Sequence, residues 1–381
     1  QIVVNQKLAD ELGIRAAGEW VLLRVPRPGQ IPADSPLGRK TDQSSSRRLK
    51  VTHILPNQGL ARFSLSSNQQ TPLVAFVPKN ILQSSSVLNQ KGKVNAVIIA
   101  GRERGHASCE KCGELLTDAL QPKLDDYGLT IKTVKYQSTS GTAKEYVNIA
   151  SDQMVLPPQV ASRIMNEFSG DEAQPAITYL ANWIRTADDQ AQIPYSTVTA
   201  IDSTAQLGPL FREDGKPLVL ADDQIALNSW TVSDMAEQGR EVIPGDRIAL
   251  VFFLPESTHG AAVELTESFL FAHVANTAEP HQTPTPVTDA NFTPEVPGLT
   301  DKDSIDNWDP PFPYDAERVR SVPPNNQDDR YWKDYQATPK AFISYAAGEK
   351  LWKSRFGAVT TIRVPLSATL TAEEVATRLQ S

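Results

Sequence analysis

The sequence predicts an α+β protein built from two related mixed α/β units, the second of which carries an insertion rich in proline and aromatic residues. The first observation behind this prediction is a stretch that occurs twice, at residues 2–26 and 225–255. In each copy a short apolar strand ends at an asparagine, Asn5 or Asn228, and runs into a segment with helical periodicity. A glycine with an acidic neighbour follows, and then a second apolar strand that stops at a proline.

The second observation is that the similarity continues downstream of both copies. Three further matches keep the same order and pair residues 50–54 with 270–274, 72–77 with 339–344 and 94–98 with 359–363. Because four matches in the same order are improbable by chance, we infer an internal duplication, with a first unit at 1–150 and a second at 151–381. The block that precedes the second copy would have its counterpart upstream of Gln1, so we expect the first unit to lack its opening segment.

The third observation is the insertion at 280–336, which has no counterpart in the first unit. It is rich in proline and contains large aromatic residues, among them Trp308, Phe312, Tyr331 and Trp332. Such side chains need burial, so we expect an irregular, proline-stiffened loop packed on the second unit. Two roles stay open: the insertion stiffens that unit, or it presents an interaction surface, since exposed Trp and Tyr are favoured at interfaces.

The individual elements follow from hydrophobic periodicity and from turn residues. In the first unit the patterns predict a strand and a helix within 2–14, further helices at 79–82 and 113–125, and strands at 19–26, 49–55, 73–77, 93–100, 129–136 and 145–149. In the second unit they predict helices at 159–168 and 370–379 and a pair of strands, 177–184 and 197–201, around residues 193–196.

Length and composition restrict the class of protein. A chain of 381 residues with 40% hydrophobic residues is long enough for two or three domains with a sizeable core. The formal charge of −8 argues against a nucleic-acid-binding surface, which needs clustered Lys and Arg. No apolar run approaches the roughly 18 residues of a membrane span. There is no signal-peptide pattern, and a chain that starts at Gln1 instead of Met is expected to be a processed chain or an excised piece.

Cys109 and Cys112 are the only cysteines, and they precede a predicted helix. A helix N-terminus lowers the pKa of a thiol, which suits redox chemistry, and His106 would bring the set of potential zinc ligands to three. No fourth ligand is evident, and the second unit has no matching cysteine, so we interpret the pair as incidental, either free or bridged. The alternative is an extracytoplasmic metal- or thiol-dependent redox enzyme, which stoichiometric zinc or a thiol reactive near neutral pH would support.

Three carboxylate clusters, at 222–223, 301–303 and 328–329, are of the kind that binds calcium or takes part in acid–base chemistry. Their neighbours are turn residues, so we interpret all three as solvated turns. The sequence contains no phosphate-binding loop, nucleophile elbow, zinc-protease motif or dinucleotide fingerprint. We therefore predict no catalytic residue, no metal site and no cofactor.

Short motifs in both units carry a resemblance to a known family. In the first unit the matching residues are Asn5, Leu8, Ala9, Leu12, Gly13, Gly18 and Glu19. In the second unit they are Ile193-Pro-Tyr-Ser196, Leu227-Asn-Ser-Trp230, Pro244-Gly-Asp246, Leu299-Thr-Asp301, Trp308-Asp-Pro-Pro-Phe-Pro313, Tyr331-Trp332, Thr338-Pro-Lys-Ala-Phe342, Leu351-Trp352 and Arg355-Phe-Gly357. With these motifs the chain resembles the MacB-like periplasmic core domain of bacterial FtsX-like ABC transporter permeases. It departs from the family at Glu19, where Asp is usual, and in the looser stretch 231–239, and the cysteine pair lies outside the pattern.

The resemblance implies a non-catalytic extracytoplasmic (periplasmic) domain of an inner-membrane protein. Such a domain couples ATP hydrolysis by a cytoplasmic ATPase subunit to movement of, or action on, a substrate or partner outside the membrane. The implied partners are that ATPase, a second permease copy or a homologue, and a lipoprotein, lipid or peptide cargo. Transmission of this kind requires a stiff body rather than a catalytic pocket. A solute-binding module is a further alternative, which a deep pocket lined by polar groups would favour.

Overall fold

The structure, a computed structural model, describes residues 1–26, 44–63, 71–84, 123–137, 143–204, 206–207, 210–212, 215–256, 262–276, 291–296, 298–310 and 314–380. The mixture of helices and strands over these residues confirms the predicted α+β class. Contacts divide the described residues into one unit that ends at Ser84 and a second that begins at Lys123. The predicted strand at 93–100 and most of the predicted helix at 113–125 lie outside the described residues.

The first unit contains a four-stranded sheet. Its elements are β1 (Ile2–Asn5), α1 (Gln6–Leu12), β2 (Trp20–Pro26), β3 (Ser44–Leu55), β4 (Ala75–Phe76) and α2 (Lys79–Leu82). The strand order is β2-β3-β1-β4, with β1 parallel to β3 and the other two pairs antiparallel. A core cluster joins Ile2, Val4, Leu49 and Val51 of the sheet to Ala9 of α1. The sheet therefore buries one face against the helices.

Helix α1 begins and ends as its sequence predicts. The side-chain oxygen of Asn5 accepts the N–H of Leu8 at 3.0 Å, which satisfies one of the N–H groups that a helix leaves open at its start. Gly13 ends the helix at φ +69°, in the left-handed region that glycine adopts without a steric cost. Gly13 N–H then returns to the carbonyl groups of the last turn.

The second unit contains a nine-stranded sheet, part of which closes into a barrel. Its elements are β5 (Leu129–Gln137), β6 (Ala143–Ser151), α3 (Pro158–Glu167), β7 (Gln174–Thr186), β8 (Gln192–Ala200), β9 (Gln224–Asn228), α4 (Ser229–Glu237), β10 (Arg247–Phe253), β11 (Glu264–Ala275), α5 (Gln327–Tyr335), β12 (Ala341–Ile343), α6 (Tyr345–Trp352), β13 (Thr361–Pro365) and α7 (Ala372–Gln380). Six strands follow the order β10-β11-β9-β12-β8-β7, and β10 also pairs with β7. The pairing of first and last strand closes the six into a barrel, which removes the open sheet edges.

The barrel core explains why its strands are so apolar. β10 is buried at every position from Ile248 to Phe253, as expected of a strand that is covered on both faces. One core cluster joins residues of all six strands to Met235 of α4 and to Trp352 of α6. The two helices thus pack on the barrel, and their apolar side chains extend its core.

A three-strand extension continues the sheet beyond the barrel. The first residues of β7 pair with β13, which pairs with β6, and β6 pairs with β5. Ile164 of α3 and Val375 of α7 are buried in the core of this extension. Residues 129–150 are predicted in the first unit but belong to the second, because β6 pairs with β13, more than 200 residues further along the chain, and β5 pairs with β6.

One turn differs from the prediction. Residues 193–196 were expected between two paired strands, but they lie inside β8, and the turn is at 187–191. Pro194 sits opposite Trp183 in the β7–β8 ladder. Tyr195 has φ +36°, which is rare for a tyrosine and marks a local irregularity in the strand. Pro194 and Tyr195, which suggest a turn in the sequence, therefore cause a local irregularity in β8, and the strand continues beyond them.

Candidate functional site

A cluster of buried charges lies beside the barrel and joins four separate stretches of the second unit. Its members are Asp234 on α4, Arg320 in the loop before α5, Asp328 on α5 and Lys340 just before β12. The exposed fractions of the two carboxylates and of Lys340 are 5% or less. Charged side chains are rarely buried to this degree unless they are paired.

Arg320 is the centre of this buried charge cluster. Its Nε and Nη2 donate to the two oxygens of Asp328 at 3.0 and 2.6 Å, a two-pronged pairing that matches the planar shapes of both groups. Its Nη1 donates to both oxygens of Asp234, at 3.0 and 2.9 Å. The backbone N–H of Arg320 also donates to Asp328. One guanidinium therefore ties the insertion loop to α4 and α5.

Lys340 supplies the second cation. Its Nζ lies 3.8 Å from Asp328 Oδ1 and 4.6 Å from the ring centres of both Trp230 and Tyr331. The faces of aromatic rings attract cations, so the two rings stabilise the ammonium group where water is largely excluded. Burial lowers the pKa of Lys340 to about 8; the positive charge of Arg320 acts in the same direction, and Asp328 opposes it.

Asn228 connects the barrel to the same cluster. This fully buried residue caps α4 by accepting the N–H of Thr231 at 2.8 Å. Its amide group donates to the Tyr331 hydroxyl at 2.9 Å and to the Pro339 carbonyl at 3.2 Å. The Tyr331 hydroxyl in turn donates to the Thr338 carbonyl. Burial raises the pKa of Tyr331, which therefore stays protonated and able to donate.

Aromatic side chains of the insertion pack around these polar contacts. Trp332 is 4% exposed and meets Trp308 edge to face at 4.7 Å between ring centres. Its Nε1–H donates to the carbonyl of Lys302 at 2.8 Å. Tyr331 stacks on Tyr335 at 4.8 Å. Tyr331 also packs on Trp230 of α4, at 4.6 Å between ring centres. The insertion is thus held to the rest of the second unit by ring packing as well as by ion pairs.

Two small cavities lie in the second unit, and the first of them borders the cluster. One of about 20 Å³ is lined by Tyr195, Trp308, Lys340 and their neighbours. The other, of about 40 Å³, is lined mostly by apolar groups that include Met154 and Leu180. A water molecule needs roughly 10–15 Å³ on this measure, so each cavity has room for one to a few waters and not for an organic substrate.

The structure buries two of the aromatic residues that could have formed an interaction surface. Tyr331 and Trp332 are buried, and Trp308 is half-buried. The alternative that Tyr331 and Trp332 belong to an exposed interaction surface is therefore wrong, because their rings fill the interior of the second unit. Phe312 lies outside the described residues.

The carboxylate clusters separate into two groups. Those at 222–223 and 301–303 lie in exposed turns, as predicted. The interpretation is wrong for Asp328 and Asp329, which are 2% and 4% exposed on the first turn of α5. Burial acts to raise the pKa of Asp329, but hydrogen bonds from Lys333 and Ser304 lower it overall. Asp328 pairs with Arg320, eight residues earlier in the chain, and Asp329 pairs with Lys333 on the next turn of α5. The sequence gives no sign of the burial because it depends on tertiary packing around α5 and not on the residues beside the two carboxylates.

His106, Cys109 and Cys112 lie outside the described residues. Within the part of the chain that the structure describes, no group of three or more His, Cys, Asp or Glu side chains is arranged to hold a metal ion. The same part contains no helix that is both long and apolar enough to cross a membrane.

Sequence reasoning missed three members of the cluster: Asp234, Arg320 and Lys340. Asp234 was hidden on a helix with other polar residues, and Arg320 stands in a loop where a charge is unremarkable. Lys340 offered one signal, because it directly precedes a strand in which every residue is apolar. No protein-family model matches the sequence, and a search of curated proteins returns no match.

Proposed function

We propose that this chain is a non-catalytic extracytoplasmic domain of an FtsX-like ABC transporter permease, with the MacB-like periplasmic core architecture. In this role the domain couples ATP hydrolysis by a cytoplasmic ATPase subunit to the movement or release of a lipoprotein, lipid or peptide outside the membrane. The same permease pairs with a second copy or with a homologue. The chain's own contribution is mechanical.

One observation carries the proposal: the residues that resemble family motifs meet in a packed cluster. Asn228, Tyr331, Trp332 and Trp308 all belong to such motifs, and each contacts another member of the set or the buried charges beside it. Lys340 comes from the motif Thr338-Pro-Lys-Ala-Phe342. Motif residues that brace an insertion against a barrel suit a domain that transmits force, since a flexible lever would dissipate the movement.

We also propose that the two units arose by duplication of one α/β unit. In each unit a buried Asn ends a strand and caps the following helix. Its amide group also donates to the carbonyl of a proline that follows a threonine, Pro72 in the first unit and Pro339 in the second. In each, that strand is parallel to one neighbour and antiparallel to a short Ala-Phe strand. The fourth matched pair includes 94–98, which lies outside the described residues.

The backbone contacts favour a slightly different alignment of the short strands. Asn5 N–H donates to the Val74 carbonyl, and Asn228 N–H donates to the Lys340 carbonyl. Ala75 therefore corresponds to Ala341, whereas aligning Pro72 on Pro339 would set Ala75 against Phe342. The duplication model thus requires the second copy to be one residue shorter than the first between the matched Pro and the matched Ala.

The coding sequence on either side of this chain tests the membrane assignment. We expect one apolar stretch of about 20 residues on each side, the length that spans a bilayer as a helix. A gene for the whole protein that lacks such stretches on both sides would contradict the proposal. The result would leave the barrel and the buried charge cluster unaffected.

A further inference from the structure

The open face of the four-stranded sheet in the first unit has an unusual composition. In the β2–β3 ladder, residues directly opposite each other project to the same side of the sheet. Three such pairs form what we call the outer β2–β3 face, and they are Trp20 with Lys50, Leu22 with Arg48, and Arg24 with Ser46. The residues between them alternate to the other side, where Val21, Leu23 and Leu49 join the core.

The apolar members of this face are exposed to an unusual degree. Trp20 is 56% exposed and Leu22 is 59% exposed, although both stand on a regular strand. The Arg48 guanidinium lies 5.0 Å from the centre of the Trp20 ring, so the cation covers the indole without burying it. Two large exposed apolar side chains on one sheet face, flanked by cations, are more typical of an interaction site than of a face in contact with water alone.

The charge of the first unit differs in sign from that of the whole chain. Its described residues contain eight Lys and Arg against three Asp and Glu, a formal charge of +5, whereas the chain as a whole carries −8. None of the three carboxylates belongs to the outer β2–β3 face. Asp10 and Glu11 stand on α1, whose Ala9 packs in the core on the opposite side of the sheet, and the Glu19 carboxylate accepts the N–H groups of Arg15 and Ala16 within a turn.

We propose that the outer β2–β3 face binds the surface of an anionic lipid bilayer. Arg24, Arg48 and Lys50 supply the attraction to negatively charged headgroups. Trp20 and Leu22 enter the boundary between headgroups and acyl chains, where an indole is at its most favourable. An acidic protein would satisfy the cations equally, but the bilayer also accounts for the two large apolar side chains that are exposed beside the cations. This inference rests on the first unit alone and does not require the proposed function.

Vesicle sedimentation with the purified chain tests this surface. We expect binding to vesicles that contain phosphatidylglycerol, little binding to phosphatidylcholine alone, and release as the salt concentration rises. The double variant Arg48→Glu/Lys50→Glu should weaken binding by about tenfold or more, as expected from the loss of two attractive charges. Trp20→Ser should weaken it with no change in the salt dependence.

The matched control is Arg62→Glu/Lys79→Glu, which makes the same change in net charge. Both residues are exposed in the first unit but lie outside the outer β2–β3 face. We expect this variant to bind within about threefold of the unchanged chain, because its charges are not at the contact. Circular dichroism checks that every variant is folded. Failure to bind anionic vesicles at low salt, equal weakening by the two double variants, or binding to polyglutamate in preference to vesicles would overturn the proposal.

Discussion

At the scale of single residues, the second unit depends on paired charges that lie largely out of contact with water. Removing a charge from water is costly, and the cost is recovered only where geometry and hydrogen bonds are good. Arg320 meets this condition by donating to two carboxylates from three different nitrogen atoms. Loss of one partner leaves the others charged, buried and without compensation.

Arg320→Gln should therefore lower the free energy of unfolding of the second unit by about 3–5 kcal/mol, the usual cost of breaking a buried pair. Urea unfolding followed by near-ultraviolet circular dichroism measures the loss. Arg318→Gln is a matched control two residues away, because Arg318 pairs with Asp315 and Glu264 at a partly exposed position. We expect the control to cost less than about 1 kcal/mol. Equal effects of the two variants would show that the buried charge cluster is not a brace.

The lowered pKa of Lys340 predicts how stability depends on pH. The folded chain releases this proton near pH 8, whereas the unfolded chain holds it up to about pH 10.5. Between these values the unfolded chain binds more protons, so the Lys340 contribution to stability rises with pH across this window. The full rise is at most about 3 kcal/mol.

Lys340→Met removes the titrating group while keeping a side chain of similar length. We expect the difference in unfolding free energy between the unchanged chain and this variant to shift in favour of the unchanged chain from pH 8 to 10. Urea unfolding at several pH values measures that difference. A constant difference would mean that the amine in the folded chain titrates like a free lysine.

At the scale of elements, one buried amide organises the start of a helix and the contact beneath it. Asn228 uses its oxygen for the cap of α4 and its nitrogen for Tyr331 and Pro339. Asn5 divides its two ends in the same way between Leu8 and the carbonyls of Ala61 and Pro72. Capping by the amide oxygen and donation by the amide nitrogen are separate roles, and substitutions can distinguish them.

Asn228→Ala should lower the free energy of unfolding by about 2–4 kcal/mol, because it removes a cap and leaves buried polar groups without partners. Asn228→Ser should recover about 1 kcal/mol of this loss, since Ser is a good cap but is too short to replace the amide. Hydrogen exchange of the amides in α4 measures both effects. Identical results for Ala and Ser would show that the cap contributes nothing.

Much of this local structure is predictable from sequence, and the reasons are local. The Asn caps, the helix end at Gly13 and the apolar run of β10 are predictable because the sequence pattern and the structure it specifies occupy the same short segment. Burial of Tyr331 and Trp332 follows from the size of their rings. The strand partners of β5 and β6 and the closure of the barrel between β10 and β7 are not predictable from the sequence. They depend on pairings between distant segments that no local pattern specifies. The burial of Asp328 is not predictable either, because Asp234, which shares the Arg320 guanidinium with it, lies 86 residues before Arg320.

At the scale of the whole molecule, the second unit combines a closed barrel with an insertion that is fixed to it. Closure pairs every barrel strand on both sides, so none can open from an edge. The insertion contributes Arg320, Tyr331 and Trp332 to the same body. A body of this kind is suited to move as one piece.

The rigidity of the second unit predicts a particular pattern of hydrogen exchange. Amides of β8, β9 and β12 should exchange only through global unfolding of the second unit, because each strand is paired on both sides and buried in the core. Their free energies of opening should be equal to one another and to the value from urea unfolding. Opening of β12 at a much lower free energy would indicate a hinge within the barrel.

The most direct test of the proposed role is co-purification from membranes of the whole protein that contains this chain. The protein is tagged, solubilised with detergent and purified, and its partners are identified by mass spectrometry. We predict that a cytoplasmic ATPase subunit accompanies it in a fixed ratio, and that it still does so when residues 1–381 are deleted, because the two meet through the membrane part. A whole protein that purifies without any ATPase would contradict the proposed function.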